Sequence, residues 1–158
     1  DEKLIQVSDE EKLGPIIICV DTSSSMSGSP ETIAKAVTLY MATRAISQDR
    51  NCYLINFSTN IETLDLSGGL GLQKVIEFLK MSFRGGTDAT PALNHALEMM
   101  KEKDYEKADL LMISDFVMGS LPNELISNIQ EAKNDKNKFY SLAIGNLFLG
   151  SRLKDIFD

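Results

Sequence analysis

Residues 15–20 read Pro15-Ile16-Ile17-Ile18-Cys19-Val20, and residues 21–25 continue directly with Asp21-Thr22-Ser23-Ser24-Ser25. An uninterrupted run of β-branched and other apolar side chains is typical of a strand that is buried on both faces. The polar residues that follow predict a loop at the carboxyl end of this strand. The sequence therefore predicts a central strand that delivers a hydroxyl-rich loop to one rim of a sheet.

Strands and helices alternate along the rest of the chain. A helix is predicted from Ser29 to about Ser47, with Ser29 as its cap and Pro30 at its first position. A short connection between the apolar runs 52–57 and 61–66 predicts a hairpin, so that one strand lies antiparallel at an edge. Further helices are predicted over about 71–81, 90–103, 122–133 and 151–157, and further strands over 110–114 and 139–144. The apolar positions expected on the inward face of the first helix are Ile33, Ala36, Val37, Tyr40, Met41 and Ile46.

This alternation indicates an α/β fold. The expected architecture is a doubly wound, mostly parallel sheet with helices on both faces and one antiparallel edge strand. A length of 158 residues suits one domain. Residues 1–13 are polar and irregular, and we expect a linker or a frayed start there, with the domain spanning 14–158. The chain begins at Asp1 rather than Met, so we expect a piece of a longer protein.

Composition and charge disfavour several classes of function. The net charge of −7 disfavours a general nucleic-acid binder, and no apolar run approaches the ~20 residues of a membrane span. Two cysteines, Cys19 and Cys52, make neither a disulfide framework nor a zinc cluster, and each lies in an apolar run. We expect both thiols to be buried core residues and the protein to be cytoplasmic.

Three polar segments are expected on one rim of the sheet. They are the loop after the first strand, the Gly85-Gly86-Thr87-Asp88 loop before a helix, and Asp115 just past the strand 110–114. Ligands bind beyond the carboxyl ends of parallel strands, so these segments are candidates for a shared site. Hydroxyl and carboxylate oxygens without histidine or cysteine suit Mg²⁺, Mn²⁺ or Ca²⁺. Because alternate residues of an extended segment face the same side, Asp21, Ser23 and Ser25 can converge.

These motifs, in this order, resemble the metal-ion-dependent adhesion site of von Willebrand factor A domains. The resemblance covers roughly residues 14–147. It implies a Rossmann-like fold, Ser23 and Ser25 as hydroxyl ligands, and Thr87 as a third ligand, directly or through water. Asp21 and Asp115 would hold coordinated waters. Asp88 would cap or orient the loop rather than ligate.

The resemblance also implies a non-enzymatic protein-binding module. An open position on the ion, expected to be Mg²⁺ with Mn²⁺ or Ca²⁺ as alternatives, would accept a Glu or Asp carboxylate from a partner. Two departures stand out: Ser24 occupies a position where the family commonly has glycine, and Phe116 follows Asp115 where glycine is frequent. The chain also ends before the last strand of such domains, so the predicted domain lacks that strand.

Four longer motifs resemble a narrower group, the C-terminal domain of ViaA-type bacterial proteins. They are Cys-Val-Asp-Thr-Ser-x-Ser-Met from residue 19, Cys-Tyr-x-x-x-Phe-Ser-Thr from residue 52, Phe-Arg-Gly-Gly-Thr-Asp from residue 83 and Ile-Ser-Asp-Phe from residue 113. Such proteins are associated with MoxR-family AAA+ ATPases. This similarity implies that the partner is such an ATPase or its client, and that the domain acts as an adaptor.

Other interpretations stay open on the sequence alone. Each motif taken singly is more often a turn or a helix cap, and the domain could be purely structural. A Mg²⁺-dependent phosphatase or phosphotransferase with Asp21 as nucleophile is a third possibility, although such enzymes usually carry a second acid where this chain has Ser23. The only histidine, His95, is expected at the surface or at the boundary of the core.

Overall fold

The apolar run after Pro15 forms the central strand of a five-stranded sheet. The computed structural model describes residues 14–145 and 156–158. The strands are β1 (Ile16–Asp21), β2 (Cys52–Phe57), β3 (Ile61–Asp65), β4 (Asp109–Ser114) and β5 (Phe139–Ala143). The helices are α1 (Ser29–Ser47), α2 (Gly71–Lys80), α3 (Thr90–Met99) and α4 (Asn123–Asn134), and short 3-10 turns cover Ser24–Met26 and Lys103–Tyr105.

The strand order is β3-β2-β1-β4-β5. β1 pairs in parallel with β2 and β4, and β4 pairs in parallel with β5. β3 pairs with β2 antiparallel at the edge, as the hairpin motif predicted. The carboxyl ends of β1, β2 and β4 therefore meet at one rim, where their loops lie side by side.

Two hydrophobic layers flank the sheet. Ile17 and Cys19 of β1 contribute to the layer under α3 and α4, whereas Ile18 and Val20 contribute to the layer under α1 and α2. This division follows from the two-residue side-chain period of a strand. Every residue of β1 is buried, which confirms the prediction of a central strand covered on both faces.

The inward face of α1 differs from the prediction. Ile33 is 47% exposed and Tyr40 is 57% exposed, and Ala36 is exposed as well. The buried positions of the helix are Ala34, Thr38, Ala42 and Ala45. Small side chains on this face allow α1 to lie close to the sheet, while Val37 and Met41 pack at the margins of the contact. The pattern of large apolar residues therefore predicted the wrong face of α1 as the buried one.

Most predicted boundaries agree with the structure to within one residue. The exception is α3, which ends at Met99 rather than near residue 103. The predicted cap Ser29 lies inside α1, since Gly28 precedes the helix and provides no side-chain cap. The predictions for residues 1–13, and for the final helix before residue 156, fall outside the described residues.

The thiols of Cys19 and Cys52 are free and buried in the core, as predicted. Burial raises the pKa of each thiol to about 12. Within the described ranges, no helix combines the length and the apolar character that crossing a membrane requires. Residues 156–158 lie beside the start of β5, where the Phe139 amide donates to the Asp158 carboxylate at 2.7 Å.

Candidate functional site

The loop after β1 is arranged around the buried carboxylate of Asp21. The backbone N–H of Ser23 donates to Asp21 Oδ1 at 2.9 Å, which folds the loop back over the strand end. Asp21 and Ser23 are almost completely buried, whereas Ser25 is exposed. The loop then forms a 3-10 turn over Ser24–Met26, with Met26 buried beneath it. The turn thus places one buried and one exposed hydroxyl beside a buried carboxylate.

The hydroxyls of Ser23 and Ser25 share a hydrogen bond, with their oxygens 3.1 Å apart. Oxygens that occupy neighbouring corners of an octahedral Mg²⁺ site, each about 2.1 Å from the ion, are separated by about 3 Å. The observed separation is therefore close to that required of two ligands on one cation. This spacing and the oxygen-only chemistry of the residues are compatible with a divalent cation at this position.

Asp21 is connected to the end of β4 through Ser114. The Ser114 hydroxyl donates to Asp21 Oδ2 at 2.6 Å and accepts from the backbone N–H of Phe116 at 2.8 Å. Asp115 is buried, and its Oδ1 accepts from the backbone N–H of Val117 at 3.1 Å. We call Asp21, Ser23, Ser25, Ser114 and Asp115 the rim site.

The rim site concentrates negative charge. Burial raises the pKa of Asp21 above its ordinary value, and the nearby charge of Asp115 raises it further. Hydrogen bonds from Ser114 and Ser23 act in the opposite direction. Among the described residues, no group of three or more His, Cys, Asp or Glu side chains is arranged to hold a metal. The donor set is thus two carboxylates supplemented by hydroxyls.

The Gly85-Gly86 loop is joined to the first loop by three hydrogen bonds. The Gly85 carbonyl accepts from the Ser24 backbone N–H at 2.9 Å and from the Ser24 hydroxyl at 3.0 Å. The Arg84 backbone N–H donates to the Thr22 carbonyl at 2.9 Å. Gly85 has a φ of +95°, a conformation that glycine adopts readily. A Cβ on Gly86 would lie 2.9 Å from the exposed Thr59 side chain, which would have to shift to accommodate it.

Thr87 and Asp88 follow on the same loop. The backbone N–H of Asp88 donates to the Ser58 carbonyl at 2.7 Å, and its carboxylate accepts from the Thr90 backbone N–H at 3.0 Å. This bond matches the predicted orienting role of Asp88. Thr87 is half-buried on the loop that contacts Ser24, but its hydroxyl is not hydrogen-bonded to the rim site. The structure therefore joins Asp21, Ser23, Ser25 and Asp115 closely, and Thr87 through its loop.

The two departures from the family pattern have structural explanations. Phe116 adopts a φ of +59°, the left-handed conformation that favours glycine at this position. Its buried ring packs edge-on against Phe157 at 5.8 Å between centroids, which offsets the backbone strain. Ser24 supplies the hydroxyl bond to Gly85, which glycine lacks.

Ser24 and Ser114 are functional candidates that the sequence did not single out. Each acts through a partner far away in the chain, Gly85 for Ser24 and Asp21 for Ser114. A weak signal for Ser114 existed, because it directly precedes an aspartate at a strand end. Nothing local distinguished Ser24 from any other loop serine.

Comparison with known proteins identifies the family of this domain. The family model for the von Willebrand factor type A domain matches residues 16–118, which include every residue of the rim site.

Two solved structures share the fold. One is an aerotolerance-related membrane protein from Bacteroides fragilis NCTC 9343, carrying multiple mutations to serines, with a TM-score of 0.68 and 15% identity. The match covers 84% of this chain and 68% of that one. The other is the conserved hypothetical protein BatB from Bacteroides thetaiotaomicron, with a TM-score of 0.68, 16% identity, and coverage of 84% and 67%. At such low identity these likenesses establish the architecture alone.

Proposed function

The chain belongs to the von Willebrand factor type A domain family, a family of protein-interaction modules, and we propose that it binds a partner's Glu or Asp carboxylate in a divalent-cation-dependent manner. The observation that carries this proposal is the 3.1 Å separation of the Ser23 and Ser25 hydroxyls beside the buried Asp21. Hydroxyls and carboxylates lie together at this position, and a bound cation would offset the negative charge of the carboxylates.

Each residue has a distinct role in the proposed site. Ser23 and Ser25 would ligate the cation through their hydroxyls, and Thr87 would contribute a third hydroxyl directly or through water. Asp21 and Asp115 would hold coordinated waters, and Ser114 fixes the orientation of the Asp21 carboxylate. Partners of this outer kind tune metal affinity strongly.

Mg²⁺ is the cation we propose, with Mn²⁺ or Ca²⁺ as alternatives. Hydroxyl and carboxylate oxygens are hard ligands that suit all three. The bound ion would supply a positive charge with few anionic ligands around it, so that a carboxylate from outside completes its neutralisation. The exposed side of Ser25 leaves that approach open.

A binding role accounts for Asp21 better than a catalytic one. A nucleophilic carboxylate needs an accessible oxygen, whereas Asp21 is fully buried and each of its oxygens accepts a hydrogen bond. The phosphatase or phosphotransferase interpretation is therefore disfavoured, and we propose that the domain is not an enzyme.

The partner that we propose is a MoxR-family AAA+ ATPase or its client, with the domain acting as a cytoplasmic adaptor. This assignment rests on the sequence motifs shared with ViaA-type proteins. The acidic chain, with a net charge of −7, makes a local cation a useful means of attracting an acidic partner.

Glutarate provides a direct test of carboxylate binding. Titrated into the Mg²⁺-loaded domain and followed by NMR, it should shift the backbone amides of residues 23–25 and 85–88 saturably. The same titration in chelator, or with Ser23→Ala/Ser25→Ala, should produce no such shifts. The matched control is Ser29→Ala, an exposed serine of the first turn of α1, which should behave like the wild type. Equal shifts with and without Mg²⁺ would refute a cation-dependent site.

A second experiment tests the partner. The immobilised domain should retain a MoxR-family ATPase in Mg²⁺, and the Ser23→Ala/Ser25→Ala variant should lose it. The variant is the decisive comparison, because a chelator also removes the Mg²⁺ that an ATPase needs. Equal retention by both forms would exclude the rim site as the contact.

A further inference from the structure

A second polar surface adjoins the rim site on the side of β2 and β3. We call it the β2–β3 cleft, an open cavity of about 440 Å³. The lining residues that matter are Asn56, Ser58, Asn60, Glu62, Ser82 and Arg84. Thr22 also lines it, and Thr22 lies between Asp21 and Ser23. The cleft and the rim site are therefore continuous through the first loop.

Asn56 is the unusual residue of this cleft. It lies near the carboxyl end of β2, is only 3% exposed, and faces the α1/α2 side like Leu54. Within the part of the chain that the structure describes, Asn56 Oδ1 is a buried acceptor with no hydrogen-bond partner. Buried amide groups are almost always hydrogen-bonded, because an unpaired one lowers stability. Oδ1 itself is closed to solvent, but Asn56 lines the cleft, so a rotation of its amide would present this acceptor to a donor bound there.

The charges around Asn56 restrict what that ligand is. Glu62 lies opposite Asn56 in the β2–β3 register and is exposed. Arg84 is exposed on the same cleft. The side chains of Arg84 and Glu62, both in the part of the chain that the structure describes, form no ion pair with each other. A cation would be repelled by Arg84 and an anion by Glu62, whereas an apolar group would leave Asn56 unpaired. An amide offers both an N–H donor and a carbonyl acceptor.

We propose that the β2–β3 cleft binds an amide group of the partner, next to the acidic residue that the rim site takes. The N–H of this amide pairs with Asn56 or Glu62, and its carbonyl accepts from Arg84. The amide comes from an Asn or Gln side chain or from a peptide bond, which share this chemistry. The link to the partner's acidic residue rests on the proposed function, but amide binding by the cleft does not.

Two small amides test the cleft without any carboxylate. Acetamide represents the side chain and N-methylacetamide represents the peptide bond. Each is titrated by NMR into the metal-free and the Mg²⁺-loaded domain, with the Asn56 side-chain amide and the Arg84 backbone amide observed. We expect saturable shifts of both signals in both states, and the tighter probe identifies the source. Absence of saturable shifts with either probe would overturn the proposal.

Substitutions at Asn56 and Glu62 test whether the β2–β3 cleft is where the amide binds. Asn56→Leu should lose the shifts while its melting temperature stays the same or rises, because the unpaired amide is removed. Should this variant fold poorly, Glu62→Leu on the exposed edge strand replaces it and should weaken acetamide binding severalfold. Thr63→Val, which is exposed on the other face of β3, is the matched control and should bind like the wild type. Unchanged binding by Asn56→Leu and Glu62→Leu would place the amide elsewhere.

Capped peptides connect the two sites. On the Mg²⁺-loaded domain, a Gln-Glu-Gln peptide should bind about tenfold tighter than Leu-Glu-Leu, and Asn56→Leu should abolish the difference. Equal affinities would refute the link to the acidic residue. If neither peptide requires Mg²⁺ while acetamide still shifts Asn56, the proposed function fails and the cleft stands.

Discussion

The molecule contains two polar clusters that differ in the number of carboxylates they bring together. The first is the rim site. The second, which we call the tyrosine cluster, comprises Tyr53, Asp65, Ser67, His95 and Tyr105. In the tyrosine cluster, donors meet acceptors: the Tyr105 hydroxyl donates to Asp65 Oδ1 at 3.0 Å, and Tyr53 and His95 share a hydrogen bond of 3.0 Å. The rim site instead sets two carboxylates near each other.

We infer from this difference that the tyrosine cluster is structural and that the rim site is functional. Ser67 completes the tyrosine cluster, with its hydroxyl 3.1 Å from Tyr105 and its backbone N–H donating to Asp65. Stacking of Tyr53 on His95 at 5.6 Å adds packing. At the rim site, the hydrogen bonds that Asp21 and Asp115 accept come from neutral groups, so a bound cation would offset the charge of these two nearby carboxylates. We therefore propose that the rim site, with its two carboxylates, is the binding surface.

The largest expected effect is that of Mg²⁺ on stability. At 100 times its Kd, Mg²⁺ should raise the free energy of unfolding by about 2.7 kcal/mol, since it binds the folded state alone. For a domain of this size, the melting temperature should rise by about 5–10 °C. Thermal unfolding with and without Mg²⁺ measures this rise. An unchanged melting temperature at millimolar Mg²⁺ would contradict the distinction between the clusters.

Ser114→Ala should reduce Mg²⁺ affinity by about 10- to 100-fold, because the Asp21 carboxylate loses the bond that orients it. Calorimetry measures the affinity, and circular dichroism checks that the fold is retained. Ser120→Ala, an exposed serine in the same β4–α4 connection, is the control and should bind normally. Normal affinity in Ser114→Ala would show that Asp21 needs no such support.

Tyr105→Phe tests the other cluster. The buried ring stays, while the hydroxyl and its bonds to Asp65 and Ser67 are lost. The free energy of unfolding should fall by about 1–2 kcal/mol, with Mg²⁺ affinity unchanged. Urea unfolding and calorimetry measure the two quantities. A loss of Mg²⁺ binding without a loss of stability would reverse the roles assigned to the clusters.

The smallest effect is expected at Glu31, which connects α1 to the segment before the glycine loop. Its carboxylate accepts from the Phe83 backbone N–H at 3.2 Å and pairs with Lys35 at 2.9 Å. The Lys35 hydrogen bond, aided by that from Phe83, lowers the pKa of Glu31 below its ordinary value of 4.5. Glu31→Gln should cost about 1 kcal/mol at neutral pH, given the partial exposure of the pair.

The pH dependence of this cost has a definite sign. Because the folded-state pKa is lowered, the stabilisation is present above the ordinary pKa and disappears as the pH falls through the lowered value. The difference in urea midpoint between the wild type and Glu31→Gln should therefore shrink below about pH 4.5. Glu124→Gln, an exposed residue in the first turn of α4, is the control. A difference that grows on acidification would be incompatible with this account.

The sequence predicted the fold well where local patterns are decisive. The apolar run of β1 and the hairpin of β2 and β3 agree with the structure, because burial on both faces and short connections leave direct marks in a sequence. The buried face of α1 was mispredicted, since Ala34, Ala42 and Ala45 pack by being small. Helical periodicity of large residues carries no information about such a face.

Local sequence patterns likewise predicted some residues of the candidate site and missed others. Alternation in an extended Asp21-x-Ser23-x-Ser25 segment predicted that these residues converge. The two hydroxyls do lie 3.1 Å apart, but a 3-10 turn over Ser24–Met26 brings them together instead of an extended chain. Ser24 and Ser114 depend on tertiary contacts with residues 61 and 93 positions away. The unpaired Asn56 is visible only once β2 is packed, because an asparagine in an apolar strand carries no sign of its partners.

The central claim is that Ser23 and Ser25 bind a divalent cation. Its most direct test is a calorimetric Mg²⁺ titration of the chelator-stripped domain beside the Ser23→Ala/Ser25→Ala variant, with Ser29→Ala as control. We expect saturable binding by the wild type and the control, and no binding by the double variant. The metal-free double variant should have the same melting temperature as the metal-free wild type. Equal binding by all three proteins would contradict the central claim.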